Sequence, residues 1–536
     1  MTKRIIIAAI IAVSLLFSAD IFAQHEKMQS GPYEPTWKSL SAYETPEWFR
    51  DAKFGIWAHW GPQCQPEAGD WYGRLMYVEG SSAYNRHLEL YGHPSEVGFI
   101  EVINDWKAEK WDPQELVSLF KSAGAQYFFA MGNHHDNMDL WDSKYQLWNS
   151  VNMGPKRDIL SEWAKAAKDN DLPFGVSIHS SHAWTWYETA QGCDSKGKYA
   201  GISYDARVLT KEDGKGKWWE GYDPQDLYVQ KHSVGRPSGT DWEWQEGTSV
   251  PSQEFFDNFF DRTADMISKY SPDLIYFDDS VAPFWPINNT GLKTIAHYYN
   301  KSAAQTGGKA DVVVFGKKLQ EEHKDAIVWD VEKGVPSKPQ EKAWQTCSCL
   351  GTWHYNLSTY KDNWYKSAKM VIHMLVDIVS KNGNLLLSVP IKGDGTIDST
   401  EEQILSDISA WMKVNGDGIF GTRPWLVYGE GPSVQAEIPL DGAGFNEGKN
   451  APYTSEDIRF VEKEGVLYAH VLKWPEDGVV TVKSLAASSG YRKTGIRRVE
   501  LLGYGKVKYS RNVDGLVVRI PDNAKRDDIS LTLKIR

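Results

Sequence analysis

Residues 365–390 read YKSAKMVIHMLVDIVSKNGNLLLSVP. In the first part Ala368, Val371, Ile372, Leu375, Ile378 and Val379 recur at the spacing of one helix face, which predicts an amphipathic helix over Tyr365–Ser380. Asn384–Pro390 follows as a short, nearly continuous apolar run, the pattern of a parallel strand covered on both faces. The same pairing recurs upstream. Strands are predicted at Lys53–Trp60, Gln126–Gly132, Phe174–Ser180, Leu274–Asp279, Val312–Lys317, Ala326–Glu332 and Thr352–Asn356. Helices are predicted at Pro113–Ser122, Arg157–Asn170, Gln253–Tyr270 and Thr290–Ala304. Together with 384–390 this makes eight strands alternating with helices, which points to an α/β fold of the (β/α)8 barrel type.

Beyond Trp411 the pattern changes. Val466–Leu472, Gly478–Val482, Gly495–Leu502, Gly515–Ile520 and Ile529–Ile535 are alternating runs punctuated by Gly, Asp and Pro, as in an antiparallel β-sandwich. The reading is a catalytic barrel over 24–420 and a C-terminal sandwich over 421–536. Residues 1–23 carry Lys3 and Arg4, an apolar run from Ile5 to Phe17 and Ser18–Ala23, the pattern of a signal peptide cleaved after Ala23. That run is shorter than the ~20 residues a spanning helix needs, so the mature chain is expected to be secreted or periplasmic with no membrane span.

The formal charge of −12 argues against nucleic acid or an anionic membrane as partner, since both need a basic face. The four cysteines, Cys64, Cys193, Cys347 and Cys349, show no metal-ligand spacing, and no metal or cofactor is expected. Oligomeric state is not legible. The 24 Trp outnumber the 19 Phe. Indole offers a flat apolar face and a polar edge, which suits sugars. Ser181–Val250 is too long for an ordinary barrel loop and carries Trp184, Trp186, Trp218, Trp219, Trp242 and Trp244. It follows a predicted strand, so it should overhang the barrel mouth and hold glycan beyond the terminal sugar. Trp57, Trp60 and Trp71 are expected to flank the sugar pocket, with Trp148, Trp364 and Trp411 as ordinary packing.

Polar groups fall at predicted strand ends: His59, His134-His135-Asp136, His179, Asp278-Asp279 and Glu332. In a barrel these converge on one mouth. Two carboxylates from different strands beside abundant indole point to glycoside hydrolysis, which uses one carboxylate as nucleophile or base and a second as acid. Strand alternation sends only one of Asp278 and Asp279 inward. Two other classes compete: a metal-dependent hydrolase using His134, His135 and Asp136, and a secreted carbohydrate-binding protein without catalysis.

The chain resembles the α-L-fucosidases of glycoside hydrolase family 29 over its mature length. The resemblance rests on WFRDAKFGI (48–56) leading to His59-Trp60-Gly61, on Asp70-Trp71-Tyr72, on AGAQY (123–127), on His134-His135-Asp136 and on GPKRD (154–158). Further on it rests on Tyr276-Phe277-Asp278, Trp344-Gln345-Thr346, Trp353-His354-Tyr355-Asn356 and VSKNGNLLL (379–387). The resemblance implies a barrel followed by a β-sandwich, and a retaining exo-glycosidase that removes terminal α-L-fucosyl units from oligo- or polysaccharides through a covalent glycosyl-enzyme.

It also implies Asp278 as nucleophile and Glu332, in Asp330-Val331-Glu332-Lys333-Gly334, as acid/base, with Glu321, Glu322 and Glu341 as competing carboxylates. His59, His134, His135, His179, Asp70, Trp71 and Tyr276 are the implied substrate-binding residues. Three departures stand out. Asp70 replaces the family's Glu, Lys333 replaces an Arg, and Lys317 is the candidate for an Arg between the two carboxylates. A pocket rewards the C6 methyl of fucose by only about 1–3 kcal/mol, so α-L-galactosidase activity is the alternative on the same scaffold.

Overall fold

The computed structural model describes residues 25–536 apart from 236–243, 245–248, 436–437, 441–444, 450 and 493–494. The predicted leader (1–23) and Trp242 lie outside the described residues. Eight parallel strands close into a barrel in sequential order: β1 (Phe54–Ala58), β2 (Tyr127–Asn133), β3 (Phe174–Ile178), β4 (Leu274–Phe277), β5 (Val313–Gly316), β6 (Val328–Glu332), β7 (Trp344–Cys349) and β8 (Gly383–Ser388). Helices α1 (Pro113–Ser122), α2 (Ile159–Asp169), α3 (Gln253–Tyr270), α4 (Thr290–Gln305), α5 (Ala368–Ser380) and α6 (Ser399–Asn415) lie between and after the strands. α5 buries the predicted stripe, Ala368, Val371, Ile372, Leu375, Ile378 and Val379.

The seventh strand is not Thr352–Asn356. It is Trp344–Cys349, and 352–356 belongs to the loop that follows. β7 is buried throughout although it reads WQTCSC, because its polar groups find partners inside the barrel. Gln345 accepts from Tyr127 Oη at 2.9 Å and donates to Asp330 at 2.9 Å, and Thr346 Oγ1 donates to the Gly334 carbonyl at 2.8 Å. A satisfied polar strand carries little hydrophobic signal, whereas TWHYN looks like a strand and serves as a loop.

After α6 the chain builds antiparallel sheets. β9 (Arg423–Glu430), β10 (Ile458–Lys463), β11 (Val466–Val471), β13 (Val499–Leu501), β14 (Gly505–Lys506) and β17 (Leu531–Ile535) form one, in the order β14-β13-β17-β11-β10-β9. β12 (Val479–Val482), β16 (Leu516–Arg519) and β15 (Lys508–Arg511) form the other. Ile458, Phe460 and Leu533 from the first share one core with Val480, Val482 and Val518 from the second, which makes this a sandwich.

The tryptophans distribute differently from expectation. Trp60 packs inside a cluster with Trp106, Trp111 and Trp163, ring centroids 5.1–6.3 Å apart, rather than on the pocket. Trp186, Trp219 and Trp244 of the long insertion are buried, so those rings serve as packing and not as an outer glycan platform. Trp148 and Trp411 are buried as expected, but Trp364 is 72% exposed.

Candidate active site

Six successive strands each deliver a polar side chain to the same end of the barrel. His59 follows β1, His134 and His135 follow β2, His179 follows β3, Asp278 follows β4, Lys317 follows β5, and Glu332 ends β6. The β7 loop adds Trp353 and His354. With Trp57, Asp70, Trp71, Tyr276, Asp279 and Phe445, most of these line a cavity of about 270 Å³. That is near the low end of ligand sites, which run roughly 300–1,000 Å³, and fits one sugar ring. A larger cavity, about 440 Å³, opens between the outer helices and the sandwich, and no barrel strand end reaches it.

Lys317 joins the two carboxylates. Its Nζ lies 2.6 Å from Asp278 Oδ1 and 2.6 Å from Glu332 Oε2. Those two oxygens are therefore no farther apart than twice that distance. On its other oxygen Asp278 meets His135 Nε2 at 3.0 Å and His179 Nδ1 at 3.1 Å. Burial alone would raise the Asp278 pKa, but the Lys317 charge and then the two imidazoles hold it well below the usual carboxylate range. His135 also donates from Nδ1 to the His179 carbonyl at 2.7 Å. Its Nε2 in a neutral ring carries only a lone pair, so it donates to the Asp278 carboxylate only when the ring takes up a second proton.

The histidine wall is positioned from behind. Asn133 Oδ1 accepts from the backbone N–H of His179 and Ser180, and Asn133 Nδ2 donates to Asp139, which pairs with buried Arg262 on α3. Gln63 Nε2 donates to His134 Nδ1 at 2.6 Å, which leaves the proton on His134 Nε2. Burial, reinforced by neighbouring imidazoles, pushes His59 and His134 well below the usual histidine value, so both are neutral at physiological pH.

Asp278 and Asp279 diverge as alternation requires. Asp279 turns to the long insertion, accepting from Trp244 Nε1 at 3.4 Å and lying 3.4 Å from His182. Glu321, Glu322 and Glu341 are exposed on the surface, which leaves Glu332 as the second carboxylate beside Asp278. Asp136 points away, accepting from Gln63 and the Met138 N–H, so His134-His135-Asp136 is not assembled as a ligand set. The groups that do converge are His59, His134 and His179, and His135, His179 and Asp278, their ligand-capable atoms within 4.8 Å of one another.

Tyr276 is buried against Trp57, ring centroids 4.9 Å apart, and its hydroxyl reaches Asp330 at 3.3 Å. Trp71 adopts a left-handed φ of 62° and packs on Trp186. Asp70 accepts from the His354 N–H at 2.7 Å. His354 is a site residue that the strand-end reading missed. Its ring is buried, 4.7 Å from His59 and 4.6 Å from His134, and its Nε2 has no partner among the described residues. Its sequence signal was the TWHYN stretch, read as a strand and as part of the family resemblance but not as a source of a site residue.

A barrel mouth with two neighbouring carboxylates from different strands, opening on a pocket for one ring, defines the chain as a glycoside hydrolase. Comparison with known proteins narrows the class. A family model described as alpha-L-fucosidase matches residues 20–417, and one for the alpha-L-fucosidase C-terminal domain matches 451–536. The chain belongs to the α-L-fucosidase family, glycoside hydrolase family 29. It is 25% identical over 505 residues to the tissue alpha-L-fucosidase of Rattus norvegicus, covering 91% of this chain and 88% of the relative. The corresponding human protein is 24% identical over 518 residues, covering 94% and 91%. Among solved structures, Thermotoga maritima alpha-fucosidase superposes with a TM-score of 0.66 at 26% identity, covering 94% of this chain and 100% of that one. Its complex with a mechanism-based inhibitor gives 0.68 at 25%, covering 94% and 99%.

Proposed function

We propose that this chain is a retaining exo-α-L-fucosidase that works by double displacement. The observation that carries this reading is the single ammonium bonded to both carboxylates. Two carboxylate oxygens no more than twice 2.6 Å apart put the pair on the close side, which favours the ~5–5.5 Å arrangement of retaining enzymes over the ~6.5–9.5 Å that accommodates a water in inverting ones. An inhibitor whose action depends on the mechanism has been seen bound to the Thermotoga maritima relative, which agrees with it.

In the first step Asp278 attacks the anomeric carbon, the glycosidic C–O bond breaks, and Glu332 gives its proton to the departing oxygen. In the second, Glu332 takes a proton from water, the oxygen of that water attacks the same carbon, and the Asp278 ester breaks to release fucose. Neutral His134 presents an Nε2–H to the sugar hydroxyls, and His59 and His354 offer further ring nitrogens. Trp57, Tyr276 and Trp353 supply apolar surface for the C6 methyl. We also propose export of the mature chain, on the strength of the leader at 1–23.

The test is a panel of aryl glycosides with the released sugar followed by NMR. The α-L-fucoside is expected to react best, about 10–200-fold faster in kcat/KM than the α-L-galactoside, with α-fucose as first product. β-Fucose would exclude retention. Galactoside preference would move the reading to the alternative substrate, and no released sugar would favour a binding protein.

The Lys317 contact has its own consequence for pH. Asp278 must be ionised to attack, and Lys317 lowers its pKa. Wild-type kcat/KM should hold to below the ordinary carboxylate range, about pH 4. In Lys317→Met the Asp278 pKa rises, so the acidic limb should move to higher pH. An unmoved limb would show that Lys317 does not tune the nucleophile.

A further inference from the structure

The leaving group departs on the side of Glu332, and the chain there is not made by the barrel alone. Immediately after β6, Lys333 takes a left-handed φ of 47° and its carbonyl accepts from the N–H of Glu447 at 2.9 Å. Val335 is held at both ends of its peptide group by Asn446, whose Oδ1 accepts from Val335 N at 2.9 Å and whose Nδ2 donates to Val335 O at 3.0 Å. Glu447 then accepts from Ser348 Oγ at 2.9 Å and pairs with Lys366 at 3.0 Å. The connection between β9 and β10 of the sandwich, more than 100 residues beyond the acid/base, is thus fastened to the loop that the acid/base starts.

This segment carries Phe445. The ring lines the same cavity as Asp278, Glu332 and Trp353 and is 45% exposed, and it belongs to neither the barrel core nor the sandwich core. A phenyl group left in water at a mouth, next to anchors of this number, gains by being covered by a flat apolar face. Lys333, whose carbonyl the same segment grips, places its Nζ 5.0 Å over the ring of Trp353, which also lines the cavity. An aromatic wall beside an ammonium suits a pyranose, whose C–H face stacks while its hydroxyls accept from the cation.

We propose that Phe445 forms the wall of the leaving-group subsite, stacking on the sugar to which the fucosyl unit is attached, so that the β9–β10 connection of the sandwich sets which saccharides are cleaved. This rests on the exo-fucosidase reading. It commits the occupant to a saccharide ring that presents an open C–H face.

The experiment compares wild type, Phe445→Ala and Phe445→Trp on α-L-fucosyl fluoride and on fucosyl disaccharides of several linkages. The fluoride has no leaving sugar, so it reports the nucleophile and the fold alone. Phe445→Ala should lose about 10-fold in kcat/KM on the best disaccharide, the size of one aromatic contact, lose clearly less on the fluoride, and be restored by Phe445→Trp. Equal losses on both substrates, or none on any disaccharide, would overturn the subsite while leaving the fucosidase reading intact. A wild-type protein inactive on the fluoride would overturn both.

Discussion

Asp278→Gly is expected to lower the hydrolysis of an aryl α-L-fucoside by at least about 10³-fold, because it removes the carboxylate that forms the covalent bond. The nucleophile must be ionised, aimed and free of a proton at working pH. Lys317, His135 and His179 converge on Asp278 and do the first two. Removing the carboxylate leaves a gap on the face opposite the leaving group, wide enough for a small anion. Added azide should restore turnover and yield β-L-fucosyl azide, since it attacks from where Asp278 stood. A variant with near-full rate, or one rescued with the α-azide as product, would sink the assignment. Asp279→Asn is the matched control. That side chain faces the insertion, so its replacement should cost far less on the same substrate.

The outline of this molecule is legible wherever chemistry and periodicity coincide. The stripe of α5 and the apolar run of β8 repeat a unit that can bury both faces only as a barrel, and the histidines and carboxylates at strand ends announce one mouth. What escapes is whatever depends on a partner distant in sequence. β7 reads as polar until Tyr127 and Asp330 supply its partners. Trp186 and Trp244 read as glycan platforms until His134, His135 and His182 pack against them. Lys317 is named in the sequence only by the resemblance, as the candidate for an Arg between the two carboxylates, and it is closure of the barrel that puts its ammonium there. Phe445 carries no motif, and its position follows from Asn446 and Glu447 gripping the β6 loop.

Glu332→Ala should separate substrates by their leaving groups. On a natural disaccharide the departing alkoxide needs a proton, and losing the acid should lower kcat/KM by about 10²–10⁴-fold. On a dinitrophenyl α-L-fucoside the leaving group departs unprotonated, and the loss should be at most about 10-fold. Lys317 explains how one carboxyl can then act as base. In the free site its ammonium is shared between Asp278 and Glu332. Once Asp278 is esterified its charge is gone, and the ammonium keeps Glu332 as its carboxylate partner while Glu332 takes the proton from water. The variant should therefore also accumulate fucosyl-enzyme on the activated substrate, seen as a burst of dinitrophenol, with azide accelerating the slow phase. The competing view is that Glu332 only holds Lys317 in place. It would then act through the nucleophile and slow both substrates equally, with no burst. Equal losses would thus remove Glu332 from the chemistry and leave Asp278 without its partner.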